Sequence, residues 1–191
     1  MSDQDAAPAR RRRVHVAPLS LAVAAIILAL DQVTKHWALN ALSDGRPRHV
    51  IWTLQWNLAF NTGMAFSRGR GLGPIIGVVA IVVVVGFVIG ASRVEGRTGR
   101  IAVGMLVGGA LGNVSDRLFR GEGWLHGSVV DFIDFQWFPI FNVADTGVNV
   151  GAGLFVLTMF LHGRRAPAPS ASSADAGADT DTGAGATGDA A

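Results

Sequence analysis

The chain has 191 residues, of which half are apolar and only 16% are charged, against roughly 25% in an average soluble domain. This balance excludes an ordinary soluble globule and favours a membrane protein. The chain contains no cysteine, which excludes disulfides and thiolate metal sites, and its net charge of +2 comes from dispersed arginines that give no support to a nucleic-acid surface.

Four apolar segments follow a basic N-terminus, residues 1–13, which we expect to be disordered. About 20 residues suffice to cross the hydrocarbon core as a helix, and the segments cover residues 14–39, 72–92, 101–119 and 138–163. Basic residues cluster before the first segment, between the second and third, and after the fourth, so the positive-inside rule predicts two cytoplasmic termini. The predicted fold class is an all-α membrane protein with four transmembrane helices.

The connection between the first two segments predicts a small extracytoplasmic β-element within residues 48–70. Val50, Trp52, Leu54 and Trp56 occupy every second position, a period typical of a strand with one apolar face. Tryptophan is also the residue expected at the level of the lipid headgroups. We therefore expect this element to lie on the outer surface of the bilayer.

Small residues recur at helical spacing in the last two segments. In the third, Gly104, Gly108 and Gly112 are four residues apart, and Gly147 and Gly151 repeat the spacing in the fourth. This pattern is typical of helices whose backbones approach closely. We interpret it as packing. A phosphate-binding loop is a poor alternative, because Gly71, Gly73 and Gly77 do not have the spacing of a dinucleotide fingerprint and precede a membrane span. Beyond the fourth segment, residues 166–191 contain only small or polar residue types, predicting a disordered tail after a membrane domain over residues 14–165.

Several carboxylates lie within or beside these apolar segments, where ionisable groups need either a partner or a function. Counted from the cytoplasmic boundary at about 1.5 Å per residue, Asp31, Asp116 and Asp145 reach a common level near the outer boundary. Asp131 and Asp134 precede the fourth segment and can approach that level from outside. The spacing thus predicts a cluster of carboxylates at the outer end of the helices.

Some of these groups have a neutralising neighbour one helical turn away, where residues four apart face each other. The pairs at this spacing are Asp31 with Lys35, Asn113 with Arg117, and Asp116 with Arg120. Structural bracing is the simpler interpretation of all three pairs. An arginine beside a carboxylate cluster could equally hold a substrate carbonyl.

Asp131 and Asp145 have no basic residue close by in the sequence, which structural bracing does not explain. Two carboxyl groups in a site of low dielectric constant cannot both stay ionised, so the pair holds a shared proton. One member can then deprotonate a water while the other donates to a carbonyl oxygen, as in aspartic peptide hydrolysis. The five histidines are scattered without a metal-binding motif, and no serine stands in an S-x-x-K arrangement with Lys35.

Five sequence blocks occur in the order found in a known family. They are DQVTK at 31–35, NTGMAF at 61–66, GGALGN at 108–113 with DR at 116–117, VVDFI at 129–133, and FNVAD at 141–145. On these blocks, which span about residues 16–162, the sequence resembles bacterial lipoprotein signal peptidase, or signal peptidase II, a family of membrane aspartyl peptidases.

The resemblance implies a role for each matching residue and no metal or other cofactor. Asp131 and Asp145 match the catalytic pair of the family. The positions that match substrate-contacting residues are Asn61, Asn113, Arg117 and Asn142, and those that match structural or positioning residues are Asp31, Lys35 and Asp116.

The resemblance also implies the substrate and the location. The substrate is a prolipoprotein whose lipobox cysteine carries diacylglycerol, cleaved just before that cysteine, and the family is inhibited by globomycin. We expect a monomer in the bacterial cytoplasmic membrane, in contact with lipids and not with nucleic acid, with its active site near the outer face. One departure is the connection that includes residues 121–127, which looks longer than in the shortest family members.

Two other classes of protein remain as alternatives. A proton-coupled transporter would carry charge near the bilayer midplane and often an internal repeat, neither of which the sequence favours. A membrane scaffold without catalytic function would need only the glycine-spaced helices and would leave Asp131 and Asp145 unexplained.

Overall fold

The computed structural model describes residues 17–63, 73–91, 94 and 96–163. Both predicted disordered ends, the first three residues of the first predicted span, and residues 64–70 of the predicted β-element lie outside these ranges. The described residues form four helices and three strands, in the order α1 (Pro18–Ala41), β1 (Arg48–Ile51), β2 (Leu54–Asn61), α2 (Gly73–Gly90), α3 (Arg97–Phe119), β3 (Val129–Asp134) and α4 (Val143–Gly163).

The helices differ in how well their composition suits a lipid environment. Over the described residues, three helices are long and apolar enough to cross a membrane, namely α1, α2 and the Val143–Leu161 part of α4. Helix α3 does not meet this criterion. It is the central helix and packs against the other three. Its buried residues are mostly glycines, small aliphatic residues and the charged Asp116 and Arg117. A helix shielded by its neighbours does not need an apolar surface towards lipid.

Two helices, α3 and α4, begin at residues that differ from the predicted starts of their spans. Helix α3 begins at Arg97, four residues before its predicted span, and α4 begins at Val143, five residues after its predicted start. Helix α1 has a proline in its first turn, where the missing N–H costs no hydrogen bond. The late start of α4 has a specific cause in Asn142, described below.

Glycines allow α3 to approach α1 closely, as the packing interpretation predicted. A Cβ added to Gly108 would lie 2.6 Å from the carbonyl oxygen of Ala24, and one added to Gly112 would lie 2.5 Å from Oδ2 of Asp31. A larger residue at either position would push the helices apart. The glycine spacing therefore brings the polar residues of α1 and α3 into direct contact.

The β-element is a three-stranded antiparallel sheet in the order β1-β2-β3. The prediction of one continuous alternating strand was wrong, because the chain reverses at Trp52 and Thr53 and pairs Ile51 with Leu54. Trp52 takes the left-handed φ of 51° and is 89% exposed. The third strand, β3, was not predicted.

An apolar cluster fixes the sheet on the C-terminal end of α1. Ala38 and Leu42 are buried with Phe132 of β3, and Trp56 packs against them. The ring centroids of Trp37 and Phe132 are 6.0 Å apart in an edge-to-face arrangement, which is favourable for aromatic pairs. This packing holds β3 over the ends of the helices, at the level of the predicted carboxylate cluster.

Candidate active site

Asp145 lies in the first turn of α4, where it pairs with Asn142 immediately before the helix. The backbone N–H of Asp145 donates to Oδ1 of Asn142 (2.9 Å), and the backbone N–H of Asn142 donates to Oδ2 of Asp145 (3.2 Å). This reciprocal arrangement is a capping box, which satisfies two N–H groups that a helix start leaves without partners. It explains why α4 begins at Val143 and fixes the carboxylate of Asp145 at the helix start.

Asp131 lies on β3 and is 3% exposed. Its Oδ1 accepts a hydrogen bond from Nδ2 of Asn142 (2.6 Å), and its Oδ2 accepts one from Nδ2 of Asn61 (3.2 Å). Burial, together with the nearby negative charge of Asp145, raises the pKa of Asp131 to about 7. Asn142 thus joins both carboxylates, which lie close enough for the charge of Asp145 to disfavour that of Asp131.

Strand pairing brings Asn61 to Asp131. Ala59 is opposite Asp131 in the β2–β3 register, and Asn61 is opposite Val129, so Asn61 and Asp131 are diagonal neighbours on one face of the sheet. The sequence interpretation assigned Asn61 only through the family resemblance. Its contact with Asp131 depends on a strand that was not predicted.

Asn113 connects Asp145 to a buried lysine. Its Nδ2 donates to Oδ1 of Asp145 (2.8 Å). Its Oδ1 accepts hydrogen bonds from Nζ of Lys35 (3.0 Å) and Nδ2 of Asn142 (3.2 Å). The two donors that face Oδ1 fix which end of the amide points at Asp145. The predicted bracing of Asn113 against Arg117 is replaced by these contacts.

Lys35 is fully buried and forms the centre of a second polar cluster. Its ammonium lies 2.8 Å from Oδ2 of Asp31 and 2.8 Å from Oδ2 of Asp116. Asp116 also accepts a hydrogen bond from Nε of Arg120 (2.7 Å) and one from the backbone N–H of Val130 (3.1 Å). The predicted Asp31–Lys35 and Asp116–Arg120 pairs are therefore present, with each carboxylate neutralised by a cation.

The Lys35 cluster also holds the backbone around Asp131 and Asp145. Asp31 Oδ1 accepts a hydrogen bond from the backbone N–H of Ala144 (2.9 Å), adjacent to Asp145. The bond from Val130 to Asp116 lies adjacent to Asp131. These long-range contacts were not predicted, because spacing in the sequence reveals only pairs within one helix.

A cavity of about 310 Å³ opens beside Asp145 between α2, α3 and α4. Asn61, Asn113 and Arg117 contribute its polar lining, and Ile76 and Val148 are among the apolar residues. Arg117 is 6% exposed, and its Nη1 has no hydrogen-bond partner among the described residues. A buried guanidinium with an unused donor is suited to bind a carbonyl or carboxylate oxygen that enters the cavity.

Asp134 does not join this group, although the sequence placed it near the same level. It is three residues from Asp131 on a strand, so the two side chains point to opposite faces. Its Oδ2 accepts hydrogen bonds from Gln55 (2.8 Å) and Asn57 (2.9 Å) of β2. Burial raises the pKa of Asp134, but these hydrogen bonds and one from the backbone of Gln136 lower it on balance.

The arrangement supplies acid and base groups without an evident metal site. Among the described residues, no group of three or more His, Cys, Asp or Glu is placed to hold a metal ion. Within the same residues, Asp131 and Asp145 have amide hydrogen bonds but form no ion pair. Two carboxylates joined by a shared amide can take up and release a proton, which suits hydrolysis of an amide bond.

Comparison with known proteins gives a consistent match over most of the chain. Residues 23–161 match the family model described as signal peptidase (SPase) II. A lipoprotein signal peptidase of Mycobacterium avium is 43% identical over 155 residues, covering 81% of this chain and 82% of that protein. A lipoprotein signal peptidase of Rhodococcus jostii is 41% identical over 145 residues, covering 73% of this chain and 71% of that protein.

The fold is also similar to solved structures. One, described as a bacterial membrane enzyme, superposes with a TM-score of 0.65 at 28% sequence identity, covering 75% of this chain and 88% of that chain. A second, with the same description, gives a TM-score of 0.64 at 28% identity.

Proposed function

The chain belongs to the signal peptidase II family, and from this membership we propose that it removes signal peptides from prolipoproteins by aspartic hydrolysis. The bond cleaved is the one before the diacylglyceryl-modified cysteine of the lipobox. One observation carries the assignment of the catalytic pair: Asp131 and Asp145 are buried or half-buried carboxylates joined through Asn142, with amides rather than cations as partners.

The environments of the two aspartates suggest different roles. Asp145 lines the cavity at the start of α4 and accepts hydrogen bonds from two N–H donors, so it is placed to contact a water in the cavity. Asp131 is more deeply buried, and its pKa of about 7 keeps it largely protonated below neutral pH. We assign Asp145 as the base and Asp131 as the acid.

Hydrolysis then proceeds by two proton transfers. Asp145 removes a proton from a water molecule while the water oxygen attacks the carbonyl carbon before the lipidated cysteine. Asp131 gives its proton to the carbonyl oxygen. In the second step the C–N bond breaks, Asp145 passes its proton to the departing amine, and Asp131 recovers a proton from a hydroxyl of the tetrahedral intermediate. Both aspartates return to their starting states.

Four polar residues are assigned to the substrate. Arg117 and Asn113 line the cavity, and the unused Nη1 of Arg117 donates to a backbone carbonyl of the peptide. Asn61 and Asn142 hold Asp131 and border the position of the scissile bond. The cluster of Asp31, Lys35 and Asp116 positions these residues through hydrogen bonds to Ala144, Asn113 and Val130.

The apolar helices and the family support a location in the cell membrane. The chain is a multi-pass protein of the cell membrane in which α3 is the fourth crossing, enclosed by α1, α2 and α4. The distribution of arginines supports cytoplasmic termini, with the sheet and the aspartates near the outer face. Residues 14–165 form the peptidase domain, which we expect to act as a monomer.

An assay with a purified lipidated prolipoprotein peptide tests this function. The purified chain is expected to release the signal peptide, and globomycin is expected to stop the release. The same peptide without diacylglycerol is the matched control and is expected to remain uncut. Failure to cleave the lipidated peptide under conditions in which a related signal peptidase cleaves it would contradict the proposal and leave a transporter or a scaffold as the explanation.

A further inference from the structure

The connection from α3 to β3, singled out by the sequence for its length, contains a leucine in an unfavourable conformation. Leu125 is fully buried although it lies in a surface connection whose neighbours Trp124 and His126 are exposed. Its φ is 60°, in the left-handed region that residues with a side chain rarely adopt. Such a conformation persists only where the surrounding structure imposes it, and it is frequent at functional positions.

Leu125 packs onto the outer end of α2. A Cβ added to Gly77 would lie 3.0 and 3.2 Å from the two methyl carbons of Leu125, so these methyl groups rest on the helix backbone. One turn earlier, a Cβ added to Gly73 would lie 3.7 Å from the carbonyl oxygen of Leu125. Over its described length, Gly73 and Gly77 are the only buried residues of α2. Both buried residues of α2 therefore have Leu125 among their nearest neighbours, Gly77 through its methyl groups and Gly73 through its carbonyl oxygen.

Arg117 shares this contact. The same Cβ at Gly77 would lie 3.3 Å from Cδ of Arg117, so Gly77 faces both Leu125 and the stem of the arginine. The backbone N–H of Gly127, two residues after Leu125, donates to the carbonyl oxygen of Arg117 (2.9 Å). The connection is thus fixed to the backbone of Arg117 and to α2 together.

Two residues beside this contact line the cavity next to Asp145. Ile76, adjacent to Gly77, lines it from α2, and Arg117 lines it from α3. We propose that Leu125 is a positioning residue for substrate binding, which sets the separation of α2 from α3 and thereby directs the free donor of Arg117 at the substrate. This inference rests on the proposed peptidase function but concerns a residue that touches neither aspartate.

Steady-state kinetics of Leu125→Ala test the proposal. Leu125 contacts no reacting group, so its loss weakens the ground state and the transition state equally: we expect KM to rise about tenfold while kcat stays within about twofold. Leu125→Met, which keeps the volume, is expected to retain a KM near that of the unmodified chain. An unchanged KM, or a fall in kcat at unchanged KM, would overturn the proposal.

A matched truncation separates positioning from general stability. Leu106 is buried in α3 against Gly151 of α4, about 15 Å along the helix from Asp116. Leu106→Ala is expected to lower the melting temperature as Leu125→Ala does while leaving KM unchanged. If Leu125→Ala does not accumulate, Gly77→Ala pushes α2 from the same contact and is expected to raise KM in its place; an unchanged KM there counts against the proposal.

A double variant tests the route through Arg117. In the Arg117→Lys background the planar donor is already lost, so Leu125→Ala is expected to raise KM by less than about twofold further. Independent, fully additive effects would contradict a route through Arg117. Absence of cleavage by the unmodified chain would instead refute the peptidase assignment, so the two failures are distinguishable.

Discussion

Two clusters of buried carboxylates lie side by side in this molecule and differ in what neutralises them. Around Lys35, Asp31 and Asp116 each contact an ammonium or guanidinium group within 2.8 Å. Around Asn142, the carboxylates of Asp131 and Asp145 contact amide N–H groups. The first cluster balances its charge internally, whereas the second keeps a negative charge that it can give up by binding a proton.

The difference teaches how to tell a structural carboxylate from a reactive one. A cation at contact distance compensates the charge of a buried carboxylate, and removing the cation leaves that charge uncompensated. Amides orient a carboxylate but do not neutralise it, so burial raises its affinity for a proton. The pKa of about 7 for Asp131 is the expected result of the second situation.

The largest effect is expected at the amide-bound carboxylates. Asp131→Asn and Asp145→Asn each remove a proposed proton-transfer group, and we expect the cleavage rate to fall by about 10³-fold or more with normal membrane insertion. The matched control is Asp134→Asn on the same strand, which is expected to retain most activity. Near-normal cleavage by either of the first two variants would refute the assignment of the pair.

Loss of the cation should act on folding instead. Lys35→Met leaves Asp31 without a cation and leaves Asp116 with Arg120 only. Removing one partner of a buried ion pair lowers the free energy of unfolding by about 3–5 kcal/mol. We expect a large drop in melting temperature in detergent. The double change Lys35→Met with Asp31→Asn should recover part of it, since one stranded charge is removed. A Lys35→Met protein with an unchanged melting temperature would contradict the structural role assigned to the Lys35 cluster.

The pH dependence of cleavage sharpens the comparison further. Asp131 has a pKa raised to about 7, so it is protonated below that pH and loses its proton above it. As the proposed acid, it should make kcat/KM decline above about pH 7, by about tenfold per pH unit. In Asn61→Ala the carboxylate loses a hydrogen bond that favours its charged form, so the decline should begin at higher pH. If kcat/KM of Asn61→Ala declines at the same pH as in the unmodified chain, or at a lower pH, Asp131 is not the group that causes the decline.

The smallest expected effect is on stability. Because the folded-state pKa of Asp131 lies above its ordinary value of 3.8, the folded protein loses stability as pH rises from about 4 to 7 and remains at that lower level above 7. Asp131→Asn removes this penalty. Its melting temperature relative to the unmodified chain should therefore be higher at pH 8 than at pH 5, by a few degrees. A difference independent of pH would show that Asp131 titrates alike in both states.

Much of the helical part of the fold could be predicted from the sequence. Apolar length located the four helices to within a few residues at most ends, and glycine spacing predicted that α3 approaches a neighbour closely, but not that the neighbour is α1. The start of α4 was placed too early because residues 138–142 are largely apolar and continue the hydropathy signal. Only the hydrogen bonds between Asn142 and Asp145 define where the helix begins.

The sheet was harder to predict. The alternation of apolar residues continues through Trp52, and the turn lacks the glycine or asparagine that usually marks a hairpin. Strand β3 is an almost fully buried run, so it shows no alternation at all. Without these two strands, the contact between Asn61 and Asp131 is invisible.

In the candidate site, the sequence showed which residues lack a partner but not which distant residues they meet. Helical spacing predicted the Asp31–Lys35 pair, whereas the contact of Lys35 with Asp116 joins two helices and depends on their packing. The burial of Leu125 could not be predicted from the sequence, because a single leucine in a glycine-rich connection forms no periodic apolar pattern.

The capping box gives Asp145 two duties that can be separated by one methylene. Glutamate is the usual partner in this arrangement, so Asp145→Glu should preserve the helix start while displacing the acid by about 1.5 Å. With Asp145 as the proposed base, the Asp145→Glu protein is therefore expected to fold and insert normally but to lose cleavage.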